Sequence, residues 1–217
     1  MGPNGSGKSS LGYALMGHPD YQVVSGQVLL DDYDLLNLSP DERAQVGLFL
    51  AFQYPVAVEG VRYERFLWEA YKVRFAKTQP QSGEKITSIT QFRQHLLDLV
   101  KTLDINPKLL ERSLNLGFSG GEKKRLEVLQ LLLLEPKYAV LDETDSGLDI
   151  DAIKQVADGI KLAVERNQTG VLLITHYQRI LNYVKPNKVL VMNQGKLVKE
   201  GGFELIEKLE AEGYQGL

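Results

Sequence analysis

Gly2-Pro3-Asn4-Gly5-Ser6-Gly7-Lys8-Ser9, at the start of the chain, has the spacing G-x-x-x-x-G-K-[ST] of a phosphate-binding loop. Glycines open backbone conformations that are closed to residues with a Cβ. The N–H groups of such a loop converge on anionic oxygens. Lys8 is then placed to reach the outer phosphates of a nucleotide, and the Ser9 hydroxyl to hold Mg²⁺. Residues 9–17 read as the helix that follows, with its positive end toward the phosphates. The plain alternative is a glycine-rich turn that binds nothing, and motifs further along decide against it.

Composition narrows the class. The chain has 217 residues, 43% hydrophobic and 24% charged, enough for one large α/β domain or a core with a smaller lobe. Its net charge of −3 gives no overall basic surface for nucleic acid. There is no cysteine, so disulfides and thiolate ligation of zinc or an iron–sulfur cluster are excluded. No apolar run is long enough for a membrane span, and the glycine-rich start is unlike a secretory leader. The expected compartment is cytoplasmic or plastid-stromal.

Outward from the loop, Gly26–Leu30 reads as a strand ended by Asp31-Asp32-Tyr33-Asp34. Ser39-Pro40-Asp41-Glu42 reads as a helix start, with a capping serine, proline at the first helical position and a capping-box glutamate. Leu48-Phe49-Leu50-Ala51-Phe52-Gln53 is an almost continuous apolar run stopped by Pro55, as expected for a strand buried on both faces. It leaves Gln53 near a strand end, where open α/β sheets bind ligands. Helices are expected over Val61–Phe75, Ser88–Leu103, from Asn106-Pro107, Lys123–Leu134, Asp149–Asn167 and Phe203–Glu212. Along the fifth, Ile153, Val156, Ala157, Ile160 and Val164 mark one apolar face. Strands are expected at Tyr138–Leu141 and Val171–Thr175, and a hairpin over Lys188–Lys199 around Gln194-Gly195. The alternation predicts an α/β fold with a mostly parallel sheet. Residues 1–55 and 118–217 would form its P-loop core and 56–117 an inserted helical lobe.

Five short motifs follow the loop. Asp142 ends an apolar strand, where a carboxylate holds Mg²⁺ in P-loop nucleotidases. Glu143 follows it and is suited to polarise an attacking water. The Gln53 amide can meet the metal or that water, and His176, at a strand end, can touch the terminal phosphate. Ser119-Gly120-Gly121-Glu122 opens a helix and so makes a second anion site. Ser146-Gly147-Leu148-Asp149 completes the order.

Ser119-Gly120-Gly121 resembles the L-S-G-G-Q signature of ATP-binding-cassette (ABC) ATPases, and Ser146-Gly147-Leu148-Asp149 resembles their D-loop. The resemblance covers nearly the whole chain. It implies a P-loop NTPase fold of the ABC type, with ATP and Mg²⁺ as cofactors. Gly2, Pro3, Asn4, Gly5, Ser6, Gly7, Lys8, Ser9 and Ser10 would bind ATP; Ser9, Gln53 and Asp142 would hold the metal; Glu143, His176 and Gln53 would be catalytic. Ser119, Gly120, Gly121 and Glu122 would grip the ATP of a partner subunit, so that two chains sandwich two nucleotides. The D-loop would run along the seam.

Four longer stretches narrow the likeness: Phe49–Pro55, Gly117–Arg125, Asp142–Asp151 and Thr175–Leu181. They look like the SUF-system ATPase of iron–sulfur cluster assembly (SufC), where transport ATPases usually read L-S-G-G-Q and D-E-P-T-S-A-L-D. That likeness implies a non-transporting ATPase working on a scaffold of SufB- and SufD-like proteins, with no nucleic acid and no membrane insertion of its own. Tyr54, Pro55 and the Tyr63–Tyr71 stretch are candidates for the scaffold surface, against the plain alternative of packing inside the lobe. Ser10, where the family more often has Thr, and Leu126, where it usually has a polar residue, depart from the pattern. A further expectation concerns the start: a P-loop ordinarily follows a buried strand, and Met1 takes the place of that strand's last residue. A chain without the strand is expected to bind ATP weakly or to be poorly stable. Two other readings stay open, an ABC transporter ATPase and a binding module without turnover.

Overall fold

The computed structural model describes residues 1–81, 83, 85–175 and 178–214. Its centre is a parallel sheet of three strands in the order β3–β6–β7. The elements run α1 (Lys8–Met16), β1 (Leu29–Leu30), β2 (Tyr33–Asp34), α2 (Pro40–Val46), β3 (Leu48–Ala51), β4 (Val58–Arg62), α3 (Tyr63–Arg74) and α4 (Ile89–Thr102). Then come a 3₁₀ turn (Pro107–Glu111), β5 (Ser113–Leu114), α5 (Gly120–Leu134), β6 (Tyr138–Asp142), α6 (Ile150–Asn167), β7 (Gly170–Ile174), α7 (Gln178–Leu181), β8 (Val189–Asn193), β9 (Lys196–Gly201) and α8 (Glu204–Glu212). This is the expected α/β fold with a parallel sheet and helices.

Local chemistry sets the boundaries. Ser39 and Glu42 form the expected capping box on α2, with Pro40 in the first turn. Ser119 and Glu122 form a second one on α5, so that helix starts at Gly120 rather than Lys123. Asp149 caps α6 by accepting from Ala152 N–H at 2.8 Å. Parallel pairing aligns Leu48 with Tyr138 and Ala51 with Leu141, and then Tyr138 with Gly170 and Asp142 with Ile174. Parallel strands bury both faces, which is why Leu48–Ala51 is nearly continuous in apolar residues. The register brings the C-terminal ends of β3 and β6 to the same level, next to the N-terminus of α1.

Three expectations are corrected. Val61 and Arg62 belong to β4, paired antiparallel with β5, and the helix begins at Tyr63 because β4 carries the chain through Arg62. Tyr63, Leu67 and Tyr71 are buried, with Phe66 and Trp68 partly buried against the same core, so the aromatic face of the Tyr63–Tyr71 stretch packs the interior. Tyr71 lies 5.7 Å from Phe92 and Trp68 lies 4.9 Å from it, ring centre to ring centre. Tyr54, in contrast, is 80% exposed. Val164 is 43% exposed, although Ile153, Val156, Ala157 and Ile160 on the same face of α6 are buried. Leu126 is fully buried, which accounts for an apolar residue at that position.

Val164 faces a slot. A cavity of about 670 Å³ lies among α6, β7 and β8, lined by Gly170–Leu173, Val189, Leu190, Ile160 and Val164. Among the described residues β7 is laddered to β6 and β8 to β9, but not β7 to β8. Met1 lies at the slot's end and pairs with β8 in the parallel sense: its amino group donates to Leu190 O at 2.7 Å and its carbonyl accepts from Met192 N–H at 2.9 Å. No helix of the described residues is long and apolar enough to cross a membrane.

Candidate nucleotide site

The loop at the start of the chain is shaped by close approach. Gly2 has φ +145°, and a Cβ there would lie 2.1 Å from the Met192 carbonyl oxygen. Any side chain at position 2 would therefore drive the loop off β8. Gly7, at φ +97°, is the N-cap of α1, a left-handed conformation that favours glycine. Ser6 N–H donates to Pro3 O at 3.2 Å, and Gly195 N–H donates to Ser6 O at 2.9 Å, so the β8–β9 turn braces the loop from below.

Lys8 is buried, and its ammonium donates to Gly2 O at 2.8 Å and Pro3 O at 2.9 Å, with Ser6 Oγ at 3.3 Å. Burial lowers its pKa, partly opposed by the nearby carboxylates of Glu143 and Asp142. Asn4, Gly5, Gly7, Lys8, Ser9, Ser10, Gln53 and Glu143 line one cavity of about 500 Å³. Its size suits a drug-sized ligand, and the lining joins a cation and helix-terminal N–H groups to one carboxylate.

Asp142 ends β6 at 1% exposure. Burial raises its pKa, while a hydrogen bond from Ser9 pulls the other way. One of its oxygens, Oδ1, is buried without a hydrogen-bond partner. A buried orphan carboxylate oxygen next to a hydroxyl is the hard oxygen set that Mg²⁺ takes. Such an ion would be held by one carboxylate, one hydroxyl and a ligand's phosphates. The residues fit Mg²⁺.

Glu143 sits just past β6 in a left-handed conformation, φ +47°, uncommon for a residue with a Cβ. Its N–H donates to Ile174 O at 2.8 Å, extending the β6–β7 ladder by one bond and fixing where the side chain leaves the sheet. Gln53 Nε2 donates to Glu143 Oε2 at 2.6 Å across the ends of β3 and β6. The structure thus brings Gln53, Glu143, Asp142, Lys8 and Ser9 together. Pro3 and Ser6 stand behind the loop, and Asn4, Gly5 and Ser10 rim it.

The signature residues are elsewhere. Ser119, Gly120, Gly121 and Glu122 form the capped start of α5, with Ser119 and Gly120 exposed, and none of them lines the cavity. Ser146, Gly147 and Asp149 lie at the surface between β6 and α6, while Leu148 is buried beneath them. The serine–glycine turn thus lies apart from the phosphate-loop cavity. His176 lies outside the described residues. Two buried features escaped sequence reasoning. Thr175 donates to Asp145 at 2.8 Å, tying the end of β7 to the stem of the D-loop. Lys124 and Glu127 of α5 are both buried. Their i,i+3 spacing, with Glu127 between Leu126 and Val128, was the available signal, and it reads equally well as a solvated surface pair.

Phosphate loop, carboxylate at a buried strand end and separate capped serine turn define an ATP-binding-cassette ATPase. The chain belongs to the ABC transporter family, whose model matches residues 1–146. It is 52% identical to Vegetative protein 296 of Bacillus subtilis, over 99% of this chain and 79% of that protein. It is 47% identical to the probable ATP-dependent transporter ycf16 of Trieres chinensis, over the whole chain and 84% of that protein. Among solved structures it resembles a dimeric ATP-binding cassette, MJ0796, in a post-hydrolysis state bound to ADP and Pi. That match has a TM-score of 0.74 and 19% identity, covering 93% of this chain and 83% of that one, so the likeness is one of fold.

One expected outcome follows from the burial of Asp142. Its folded pKa lies above the usual carboxylate value, so folding favours the protonated form. The associated stability is present below the unfolded pKa and is lost as pH rises through the folded one. In nucleotide-free protein with chelator, Asp142→Asn therefore raises the melting temperature at pH 7, and the gain disappears near pH 4. A lower melting temperature for the variant at pH 7 would contradict the assignment of burial as the dominant effect.

Proposed function

We propose that this chain is an ATPase subunit of iron–sulfur cluster assembly, in which ATP-driven pairing of two cassettes moves a bound scaffold. The observation that carries the ATPase part is the 2.6 Å contact between Gln53 and Glu143 at the mouth of the phosphate-loop cavity. Lys8 and the loop N–H groups of residues 4–10 bind the phosphates of ATP. Ser9 and Asp142 hold Mg²⁺, which when bound neutralises charge on the outer phosphates. Glu143 accepts the proton of the attacking water, and the Gln53 amide orients that carboxylate. His176 is assigned to the terminal phosphate on its sequence position. Ser119, Gly120, Gly121 and Glu122 of one copy close over the nucleotide of the other, with Ser146–Asp149 along the seam.

ATP favours the closed pair by its differential affinity for that state. After hydrolysis, repulsion between the separated phosphates reopens it. Residues 56–117 form the partner-facing lobe, and Tyr54, just before it, and Val56, at its start, 80% and 75% exposed, are the scaffold contacts. The cluster-assembly part rests on the SufC-like runs at Phe49–Pro55, Gly117–Arg125, Asp142–Asp151 and Thr175–Leu181. The scaffold is expected to be SufB- and SufD-like, in the cytoplasm or stroma.

The name of the ycf16 relative, a probable ATP-dependent transporter, favours a second reading, an ATPase subunit of a membrane transporter. Affinity purification of the tagged chain from its own host separates the two. Recovery of SufB/SufD-like proteins from detergent-free lysate supports cluster assembly. Recovery of integral membrane proteins, released only by detergent, replaces it with transport.

A further inference from the structure

Two charged side chains of α5 lie buried yet end on the backbone next to the catalytic carboxylate. Lys124 is 5% exposed and Glu127 6%, one helical turn apart, and their charged groups approach to 2.9 Å. Lys124 Nζ donates to Phe52 O at 2.7 Å, and the Phe52 N–H is among the groups that favour the Glu127 carboxylate. The carbonyl of Phe52 is thus held by one member of the ion pair, and its N–H lies on the side of the other. Burial pushes the Glu127 carboxyl up, opposed first by the Lys124 charge.

The position of Phe52 gives this arrangement its meaning. The β3–β6 ladder ends at Ala51 opposite Leu141, so Phe52 is the first residue past the sheet's own hydrogen bonds. The next residue is Gln53, whose amide donates to Glu143. A buried ion pair costs several kcal/mol per ion in desolvation, and apolar residues of similar volume often serve packing as well or better. Packing alone therefore does not call for charges here. Fixing the backbone of one residue from both sides of its Cα does call for a donor to its C=O and an acceptor facing its N–H, which Lys124 and Glu127 supply. Gln130, the next polar residue along α5 after Glu127, donates instead to the Tyr63 hydroxyl of α3 at 2.7 Å.

We infer that Lys124 and Glu127 are positioning residues: they clamp the backbone of Phe52 and so set where Gln53 meets Glu143. The inference rests on the ATPase reading given above. It makes α5, whose first turn is the Ser119-Gly120-Gly121 signature, a rigid arm from that signature to the catalytic carboxylate of the same chain. Phe52 is the arm's far end.

The test is steady-state hydrolysis of Mg-ATP by the full chain, with kcat and KM measured separately. The double variant Lys124→Met/Glu127→Leu removes both charges and keeps the volume. Its kcat is expected to fall at least about tenfold, with KM within about twofold, the pattern for loss of an interaction made in the transition state. Gln53→Ala alone should lose a similar factor, and adding it to the double variant should cost little more, because groups acting as a unit are not additive. The pair Lys124→Gln/Glu127→Gln keeps a donor and an acceptor for Phe52 and should stay within about threefold of the unsubstituted rate. A folded Met/Leu variant with unchanged kcat overturns the inference, as does a loss that multiplies with that of Gln53→Ala. Should the Met/Leu pair not fold, hydrogen exchange at the Phe52 amide of the unsubstituted chain decides: slow exchange supports the clamp and fast exchange removes it. An unsubstituted chain that releases no phosphate refutes the ATPase reading, and the exchange measurement still judges the clamp.

Discussion

Glu143→Gln is expected to lower phosphate release from Mg-ATP by about 10²–10⁴-fold, the usual contribution of a positioned general base. Nucleotide binding should survive. The change is nearly isosteric, and the main-chain bond from Glu143 N–H to Ile174 O at 2.8 Å does not involve the side chain. The left-handed backbone at φ +47° is retained. The new amide meets the Gln53 amide where a carboxylate stood 2.6 Å away, and one rotates to offer its oxygen, so the pair stays in contact without a base. The variant should accumulate as an ATP-bound dimer in size-exclusion chromatography with Mg-ATP, while the unsubstituted chain returns to monomer. If phosphate release is unaffected, Glu143 is not the base. If release stops but no dimer accumulates, the two-chain sandwich is at fault.

Lys8→Ala acts earlier, on binding. A hydrogen bond to a charged group is worth about 1.5–3 kcal/mol, so the variant should bind ATP about 10–150-fold more weakly, as read by titration calorimetry. Lys8 has a second duty. Its ammonium is bonded to Gly2 O at 2.8 Å and Pro3 O at 2.9 Å, and the substitution removes that donor from both carbonyls, leaving Pro3 O only the Ser6 N–H. A fall in melting temperature of the nucleotide-free variant should therefore accompany the loss of affinity. An unchanged affinity for ATP would leave this cavity without its principal cation and remove the nucleotide assignment.

Much of this site was legible in the chain because its parts are local. A phosphate loop, a capped serine turn and a carboxylate after an apolar run each carry their geometry in a few residues. Ser39–Glu42 and Ser119–Glu122 announce helix starts by capping chemistry alone. What could not be read is where separate segments meet. Nothing in the sequence says that Gln53 donates to Glu143, 90 residues away. Nor does it say that Lys124 and Glu127 point inward, since charges three apart on a helix ordinarily face water. The aromatic stretch from Tyr63 misled for a related reason. Aromatic side chains serve docking surfaces and cores equally well, and burial is decided by α4, which brings Phe92 against Tyr71 and Trp68. Val61 and Arg62 entered β4 because a partner, β5, waits some fifty residues on.

The slot among α6, β7 and β8 has a practical bearing on every pairing experiment above. Strand edges facing an apolar floor are templates for any extended chain that reaches them. Copies of this protein that met at those edges would associate by mutual capture of segments, independently of nucleotide. Such aggregates would ignore Mg-ATP, grow with concentration and warming, and survive Glu143→Gln unaltered. The reversible, ATP-gated dimer is what remains after a nucleotide-free baseline has been subtracted.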